Sequence, residues 1–306
     1  MKLSIVVVNF HSVTYVEECL RSVDPSWCSR VIIVDNSADP DEEKRLSAIM
    51  VPVDKRLIIE PRNIGFGAAA NNGIDLAFQL APESPVWLVN PDMTFERAVP
   101  ELLIERLQRN LDDILSPTVV TGPPDDLRVW FAGGSVDRET GDVVHDGYLT
   151  PYQAVGSTVV RDTSFMCGAA PVFTHASWTA LGGFRADLFL YWEDAELSLR
   201  AQDSGLRMTV VDAGTPVWHA VGATGGDVGQ SEAFYYYSAR NRVMIMLERH
   251  GWRRISEPKV LAQLAKFALR PLRRERTRSL GKFWAVLRGY EAARRGRADT
   301  KRGALE

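Results

Sequence analysis

The sequence predicts an α/β protein built on a mostly parallel sheet with helices covering both faces. Short runs rich in Val and Ile, at residues 3–9, 30–35, 57–60 and 86–89, alternate with stretches of helical periodicity. The runs are almost continuously apolar, as strands buried on both faces are. Two of them lead into turns that carry acids, Asp35 and Asp92. In an open parallel sheet the carboxyl ends of the strands form one rim, where ligands bind.

Taken in order, residues 3–9 read as a buried first strand, and 13–23 as a helix with Val13, Val16, Leu20 and Val23 on one face. Strand 30–35 runs into Asp35-Asn36-Ser37. Helix 42–50, strand 57–60, helix 67–80 and strand 86–89 follow, the last leading into Asn90-Pro91-Asp92. Residues 129–142 read instead as short strands and a turn, an antiparallel excursion. Residues 165–173 are apolar with a small-residue centre, the pattern of a strand or loop pressed close to a ligand. Helix 175–181 leads through Gly182-Gly183-Phe184 to Tyr191-Trp192-Glu193-Asp194. Leu197 and Ala201 lie three and seven residues beyond Asp194, which places it in the first turn of a helix. Strand 208–212 precedes Pro216-Val217-Trp218-His219.

At 306 residues and 45% hydrophobic content, the chain can bury one large core or two small ones. Its three cysteines, Cys19, Cys28 and Cys167, are odd in number and have no metal spacing, which points to a reducing compartment without a disulfide framework. No run approaches the roughly 18 apolar residues of a membrane span, and the N-terminal apolar run is too short for a signal peptide. A cytoplasmic location is expected.

The net charge of −3 conceals a split. Residues 249–306 hold 17 Lys and Arg against 5 Asp and Glu, a net +12, while the first 248 hold 19 against 34, a net −15. The basic segment interleaves its arginines with Phe267, Leu269, Leu272, Phe283, Trp284, Leu287 and Tyr290. Such a tail suits an anionic membrane surface on the inner face of the cell membrane or an anionic lipid-linked substrate, and equally a solvated helix pair docked on the main body. Nucleic acid is not an expected partner, because the acidic body repels phosphates.

Each candidate residue has a structural and a chemical reading. Asp194 can cap a helix or take a proton from a substrate. Asn90-Pro91-Asp92 is a turn starter, or it brings a carboxylate that holds a divalent cation against a diphosphate. Asp35 can close a turn or accept hydrogen bonds from a nucleobase or ribose. The run Asn63-Ile64-Gly65-Phe66-Gly67 through Asn71-Asn72-Gly73 can serve tight packing or close approach of a nucleotide to the backbone. His219 is a core histidine or a metal ligand.

Five motifs occur in order: Val6-Val7-Val8-Asn9-Phe10, Val34-Asp35-Asn36-Ser37, Asn63-x-Gly65-Phe66-Gly67-x3-Asn71-x-Gly73, Leu88-x-Asn90-Pro91-Asp92 and Trp192-Glu193-Asp194-x2-Leu197-x2-Arg200. Over roughly residues 1–250 this set resembles glycosyltransferase family 2, of the GT-A fold, in its rhamnosyltransferase-like branch. The resemblance implies a GT-A domain over 1–250, with a nucleotide-binding half at about 1–125 and an acceptor and catalytic half at about 126–250. The basic amphipathic helical tail, 251–306, lies outside the match.

By that resemblance Asp35 contacts the nucleobase, with Asn9, Arg62 and Asn63 lining its pocket and Asn71 in the same donor-binding set. Asp92 matches the last acid of the family's DxD-type motif, and the neutral Asn90 in the first position is read as a ribose contact. His219 matches a further metal ligand, so Mg²⁺ or Mn²⁺ is the implied cofactor. Asp194 matches the catalytic base. Trp192, Glu193, Arg240 and Asn241 fall near the diphosphate or the acceptor. The implied activity is inverting, metal-dependent transfer of a sugar from a nucleoside-diphosphate donor, dTDP-rhamnose first and UDP-hexoses second. The acceptor is a saccharide, soluble or polyprenyl-diphosphate-linked, in cell-envelope polysaccharide synthesis. A silent homologue that only binds nucleotide sugar, and a nucleotidyltransferase, are the other classes. Asn9-Phe10-His11-Ser12 lacks the Gly-rich basic loop of the latter.

Overall fold

A computed structural model describes residues 1–109, 112–220 and 229–296. The chain begins β1 (Leu3–Asn9), α1 (Val13–Leu20), β2 (Cys28–Asp35), α2 (Pro40–Ala48), β3 (Asp54–Ile59), α3 (Phe66–Leu80) and β4 (Val86–Leu88). It continues with β5 (Met93–Thr94), α4 (Ala98–Gln108), β6 (Ile114–Pro117), β7 (Val119–Thr121), β8 (Arg128–Phe131), β9 (Gly134–Val136) and β10 (Val143–His145). Then come β11 (Val159–Asp162), β12 (Val172–Phe173), α5 (His175–Leu181), α6 (Glu193–Asp203), β13 (Met208–Asp212) and β14 (Val217–His219). Helices α7 (Glu232–Ile255), α8 (Pro258–Arg274) and α9 (Ser279–Arg295) close the described chain.

The central sheet has eight strands in the order β11-β13-β6-β12-β4-β1-β2-β3. All run parallel except β12 and β11. The α/β, mostly parallel architecture expected from the apolar runs is therefore present, with a helical C-terminal region beyond it. Every residue of β1 is buried, because the strand lies between β2 and β4 and beneath helix α3. The antiparallel excursion expected at 129–142 takes the form of β8 paired with β7 and of the β9–β10 hairpin. The apolar stretch 165–173 is both of its readings at once. Residues 168 and 169 form a turn, and Val172–Phe173 insert as a strand between β4 and β6.

Two boundaries differ from expectation for local reasons. Helix α2 starts at Pro40 because Asp39 caps it, accepting from the Asp41 N–H at 2.9 Å, and proline suits the first helical position. Strand β2 starts at Cys28, where an irregularity in the register pairs it with Leu3. Helix α4 and strand β6 have no counterpart in the sequence reading. The helix carries Pro100 near its start and no side-chain cap, so its signal is weak, yet Val99, Leu102, Leu103 and Leu107 are buried.

The C-terminal helices are docked on the body. Helix α7 breaks at Gly251 (φ +70°), and α9 packs back along α7. A Cβ at Gly289 would fall 2.4 Å from the Tyr236 carbonyl oxygen, so the two helix backbones touch. Lys282 is buried and pairs with Glu275 at 2.9 Å, and Glu275 also accepts from the Tyr235 hydroxyl at 2.8 Å. Residues 297–306 of the expected tail lie outside the described residues. Among the described residues, no helix is long and apolar enough to cross a membrane.

Close packing of α3 on the sheet depends on one position. A Cβ at Gly73 would lie 2.6 Å from Val6 Cγ1 and 2.9 Å from Val34 Cγ2. Gly73→Ala is expected to destabilise the fold by about 1–3 kcal/mol through overpacking, read as a lowered urea midpoint with an unchanged slope. A midpoint equal to or above wild type would contradict the contact.

Candidate active site

The ends of β1 and β2 build the first part of the rim. Asn9 and Asp35 are paired neighbours in the sheet, and both are fully buried. The Asn9 amide donates to Asp35 Oδ1 and to Glu42 Oε2, each at 3.0 Å, and its oxygen accepts from the Ser12 N–H and hydroxyl. Asp35 Oδ1 also accepts from the Ser37 N–H at 3.1 Å and the Ser37 hydroxyl at 2.6 Å. Asp35 Oδ2 is buried with no partner among the described residues. A buried acceptor left unpaired costs about 1–3 kcal/mol.

The Asn63–Gly73 motif makes close contacts within the chain. Asn63 Oδ1 accepts from the Asn36 amide and from the Gly65 N–H, both at 2.9 Å, and Asn36 Oδ1 accepts from the Ile64 N–H. Gly65 (φ +89°) lies against the next part of the rim, where a Cβ would fall 2.4 Å from the Phe189 carbonyl oxygen. Both ends of the Asn71 amide are bonded to the Phe184 backbone at 2.8 Å. Arg62 is exposed beside this turn.

Asn90 and Asp92 follow β4. The Asn90 N–H donates to the Ala169 carbonyl at 2.9 Å. Antiparallel pairing of β14 with β5 sets His219 opposite Met93 and brings its Nε2 to 3.1 Å from Asp92 Oδ1. His219 Nδ1 is buried without a partner among the described residues, so in the neutral ring Asp92 fixes the proton on Nε2. Among the described residues no group of three or more His, Cys, Asp and Glu is placed to hold a metal. One carboxylate and one imidazole in contact fit a cation that takes its remaining ligands from a diphosphate and water. Loading it would displace the Nε2 proton.

Asp194 stands in the first turn of α6, as its spacing predicts. Its Oδ1 accepts from the Ala195 N–H at 2.8 Å and its Oδ2 from the Gly168 N–H at 3.1 Å. Because Ala169, next to Gly168, receives the Asn90 N–H, one turn ties the Asp194 carboxylate to the Asn90–Asp92 rim. Burial pushes the Asp194 carboxyl above the usual aspartate range, against the lowering effect of those two N–H groups. Burial, and secondarily the Asp194 charge, push Glu193 upward as well, and Glu193 Oε2 has no partner among the described residues.

The residues leading into α6 take an unusual path. Phe189, Tyr191 and Trp192 have φ of +66°, +62° and +75°, each without the freedom of glycine. Arg240 and Asn241, both fully buried on α7, hold this segment. Arg240 donates to the Asp187 carbonyl at 2.9 Å and the Leu188 carbonyl at 3.2 Å. The Asn241 amide reaches the carbonyls of Leu188, Leu190 and Tyr191 at 2.7–3.0 Å. Their hydrogen bonds thus go to the carbonyls of this loop. Arg200, the last residue of its motif, similarly ties Glu196 to the Gly183 carbonyl.

Three contributors were absent from the sequence reading. Gly168 is an inconspicuous glycine in an apolar run, and Glu42 is a helix residue whose partners, Asn9 and the Val13 N–H, lie about thirty positions away. Trp130 packs edge-on against both His219 and His145, with ring centroids at 4.4 and 5.7 Å.

No family model and no curated protein matches this sequence. Solved structures do. GalNAc-T7, crystallised with UDP, GalNAc and Mn²⁺, superposes with a TM-score of 0.59 at 14% identity over 96% of this chain. The chain spans 56% of that protein's length. Residues 1–349 of S. aureus TarS in complex with UDP-GlcNAc give a TM-score of 0.53 at 15% identity, covering 97% of this chain and 93% of that one. At such identities the likeness is one of fold, and the fold is GT-A.

The upward shift of Glu193 has a stability consequence. Below the ordinary glutamate range the group is protonated in both folded and unfolded chains, and its contribution is complete. As pH rises through the higher native value that contribution is lost, because the unfolded chain has already released its proton. Glu193→Gln should match wild type in urea midpoint near pH 4 and exceed it near pH 9. A difference independent of pH would refute the assignment.

Proposed function

We propose that this protein is an inverting, metal-dependent glycosyltransferase of the family 2 type. In this reading it moves a sugar from a nucleoside diphosphate to a saccharide hydroxyl. The observation that carries the reading is the turn at Gly168–Ala169, which puts a carboxylate of raised affinity for protons beside the strand-end rim of a GT-A sheet. In the proposed reaction Asp194 takes the proton of the acceptor hydroxyl. The oxygen then attacks the anomeric carbon from the face opposite the diphosphate, forming one C–O bond as the bond to the diphosphate breaks. One base and no carboxylate nucleophile give single displacement, hence inversion. A divalent cation held by Asp92 and His219 would neutralise the leaving diphosphate.

The nucleobase is read from Asp35. Its Oδ1 is occupied by Asn9 and Ser37, so Oδ2 offers a single acceptor. That suits the lone ring N–H of thymine or uracil better than the adjacent pair of donors on guanine. dTDP-rhamnose is the preferred donor on the sequence resemblance. UDP-sugars are the second reading, favoured by the UDP and UDP-GlcNAc of the two similar structures. Asn90 and Arg62 are proposed to line the donor, and Trp192 and Glu193 the acceptor side. The tail, with Leu261, Leu269, Leu272, Leu280 and Trp284 exposed among basic residues, suits a peripheral place on an anionic membrane and a lipid-linked acceptor.

The deciding experiment follows nucleoside diphosphate release from dTDP-rhamnose and common UDP- and GDP-sugars with Mn²⁺ or Mg²⁺. Release from one donor names the sugar, whereas tight donor binding with no release under any acceptor would favour a silent binder. Asp194→Asn should lower turnover by about 10²–10⁴-fold with donor affinity nearly unchanged. Loss of donor binding with turnover intact would contradict the base. Asp92→Ala should weaken donor binding only where a divalent cation is present, and an unaltered Mn²⁺ dependence in that variant would remove Asp92 from the metal site.

A further inference from the structure

We propose that the cationic face of α8 is a phosphate-binding site on the acceptor side, taking a diphosphate joined to the sugar whose hydroxyl reaches Asp194. A cavity of about 310 Å³ lies between this helix and α7. It is lined by five cations, Arg242, Lys266, Arg270, Arg273 and Arg274, and by the carboxylate of Asp142. Lys266, Arg270, Arg273 and Arg274 recur at four-, three- and one-residue spacings and so share one side of the helix. The stripe Val260, Leu264, Ala268 and Pro271 is buried, and the apolar Leu261, Leu269 and Leu272 lie exposed on the other flank.

Several cations of the tail are ion-paired, while Arg253, Lys259, Arg276 and Arg294, like most of those at the cavity, have no ion pair among the described residues. Arg278 and Arg288 meet Glu232, Lys282 meets Glu275, and Arg295 meets Glu291. Arg242 is held by Asp142, the Thr140 carbonyl and Gln263. Lys266, Arg270, Arg273 and Arg274 have no ion pair among the described residues. The Nε of Arg270 is buried without a partner among them, while its guanidinium lies 5.8 Å from the Phe234 ring centre. Gathered like charges repel one another, and a multivalent anion reverses that cost. Guanidinium groups gathered at such a cavity offer the fork geometry by which arginine takes phosphate.

Two contacts connect the cavity to the reaction centre. Arg242 lies 5.8 Å from the Trp192 ring, and Phe234, beneath Arg270, packs edge-on against Tyr191 at 5.1 Å. Tyr191 and Trp192 immediately precede Glu193 and Asp194. An anion seated on α8 is therefore one residue layer from the start of α6. Its role as acceptor rests on the transferase reading, but its binding does not.

The test measures binding by calorimetry to the full chain without donor or divalent cation, using geranyl diphosphate, geraniol and vesicles of phosphatidylglycerol or phosphatidylcholine. Geranyl diphosphate is expected to bind wild type and Asp35→Ala alike, and geraniol not at all. Lys266→Glu/Arg273→Glu, two exposed positions, should weaken geranyl diphosphate by at least about tenfold with circular dichroism unchanged. Lys266→Gln/Arg273→Gln should give an intermediate affinity. Failure of wild type to bind overturns the proposal, as does loss in Asp35→Ala with retention in the charge-reversed variant, which would place the anion at the nucleotide rim. Capture by phosphatidylglycerol vesicles alone, lost in that variant, also overturns it in favour of a lipid surface. Absent donor binding beside intact geranyl diphosphate binding would sink the transferase reading and leave this site standing.

Discussion

The structure turns on the six residues from Asp187 to Trp192. They must leave a short 3₁₀ turn and enter α6 so that Glu193 and Asp194 stand at its first turn, and they do so through three left-handed, non-glycine residues. Each such conformation costs about 1–3 kcal/mol unless its surroundings enforce it. The enforcement comes from two directions. Arg240 and Asn241 take up four of the loop's carbonyls from α7, and the Phe66 N–H donates to the Phe189 carbonyl at 2.8 Å from the head of α3. The geometry of Asp194 is therefore set by elements far from it in sequence. The helix that carries it has no side-chain cap of its own.

Electrostatics divides the molecule in a way that suits this arrangement. Carboxylates line the sheet rim, where backbone N–H groups and amides partly satisfy them, and burial shifts the pair at α6 toward the protonated form. Positive charge is concentrated on the helices behind α7. An acidic rim on its own repels phosphates, so a phosphate-bearing ligand would gain from cations supplied by a separate element.

Much of the fold was legible in the sequence because its strands are buried on both faces and read as unbroken apolar runs. Asp35, Asp92, His219 and Asp194 could be singled out as polar residues at strand ends or helix starts. Other features could not be read. Asn71, Arg240 and Asn241 are polar and lie in motifs, and they bond backbone carbonyls or amides some 50 to 113 positions away. Local periodicity carries no trace of such distant pairings. Helix α4 was hidden by a proline near its start and by the lack of a cap. Gly168 was hidden because its contribution is a backbone N–H.

Helix α7 holds the Asp187–Trp192 loop with one side and receives α9 on another, where a Cβ added at Gly289 would fall 3.1 Å from the Arg240 backbone nitrogen. The helix that carries Arg240 and Asn241 is thus also the helix on which α9 rests. Chimeras that exchange tails between relatives would have to carry α7 along with α8 and α9. The natural seam for such a cassette lies ahead of Glu232, not at the bend near residue 250.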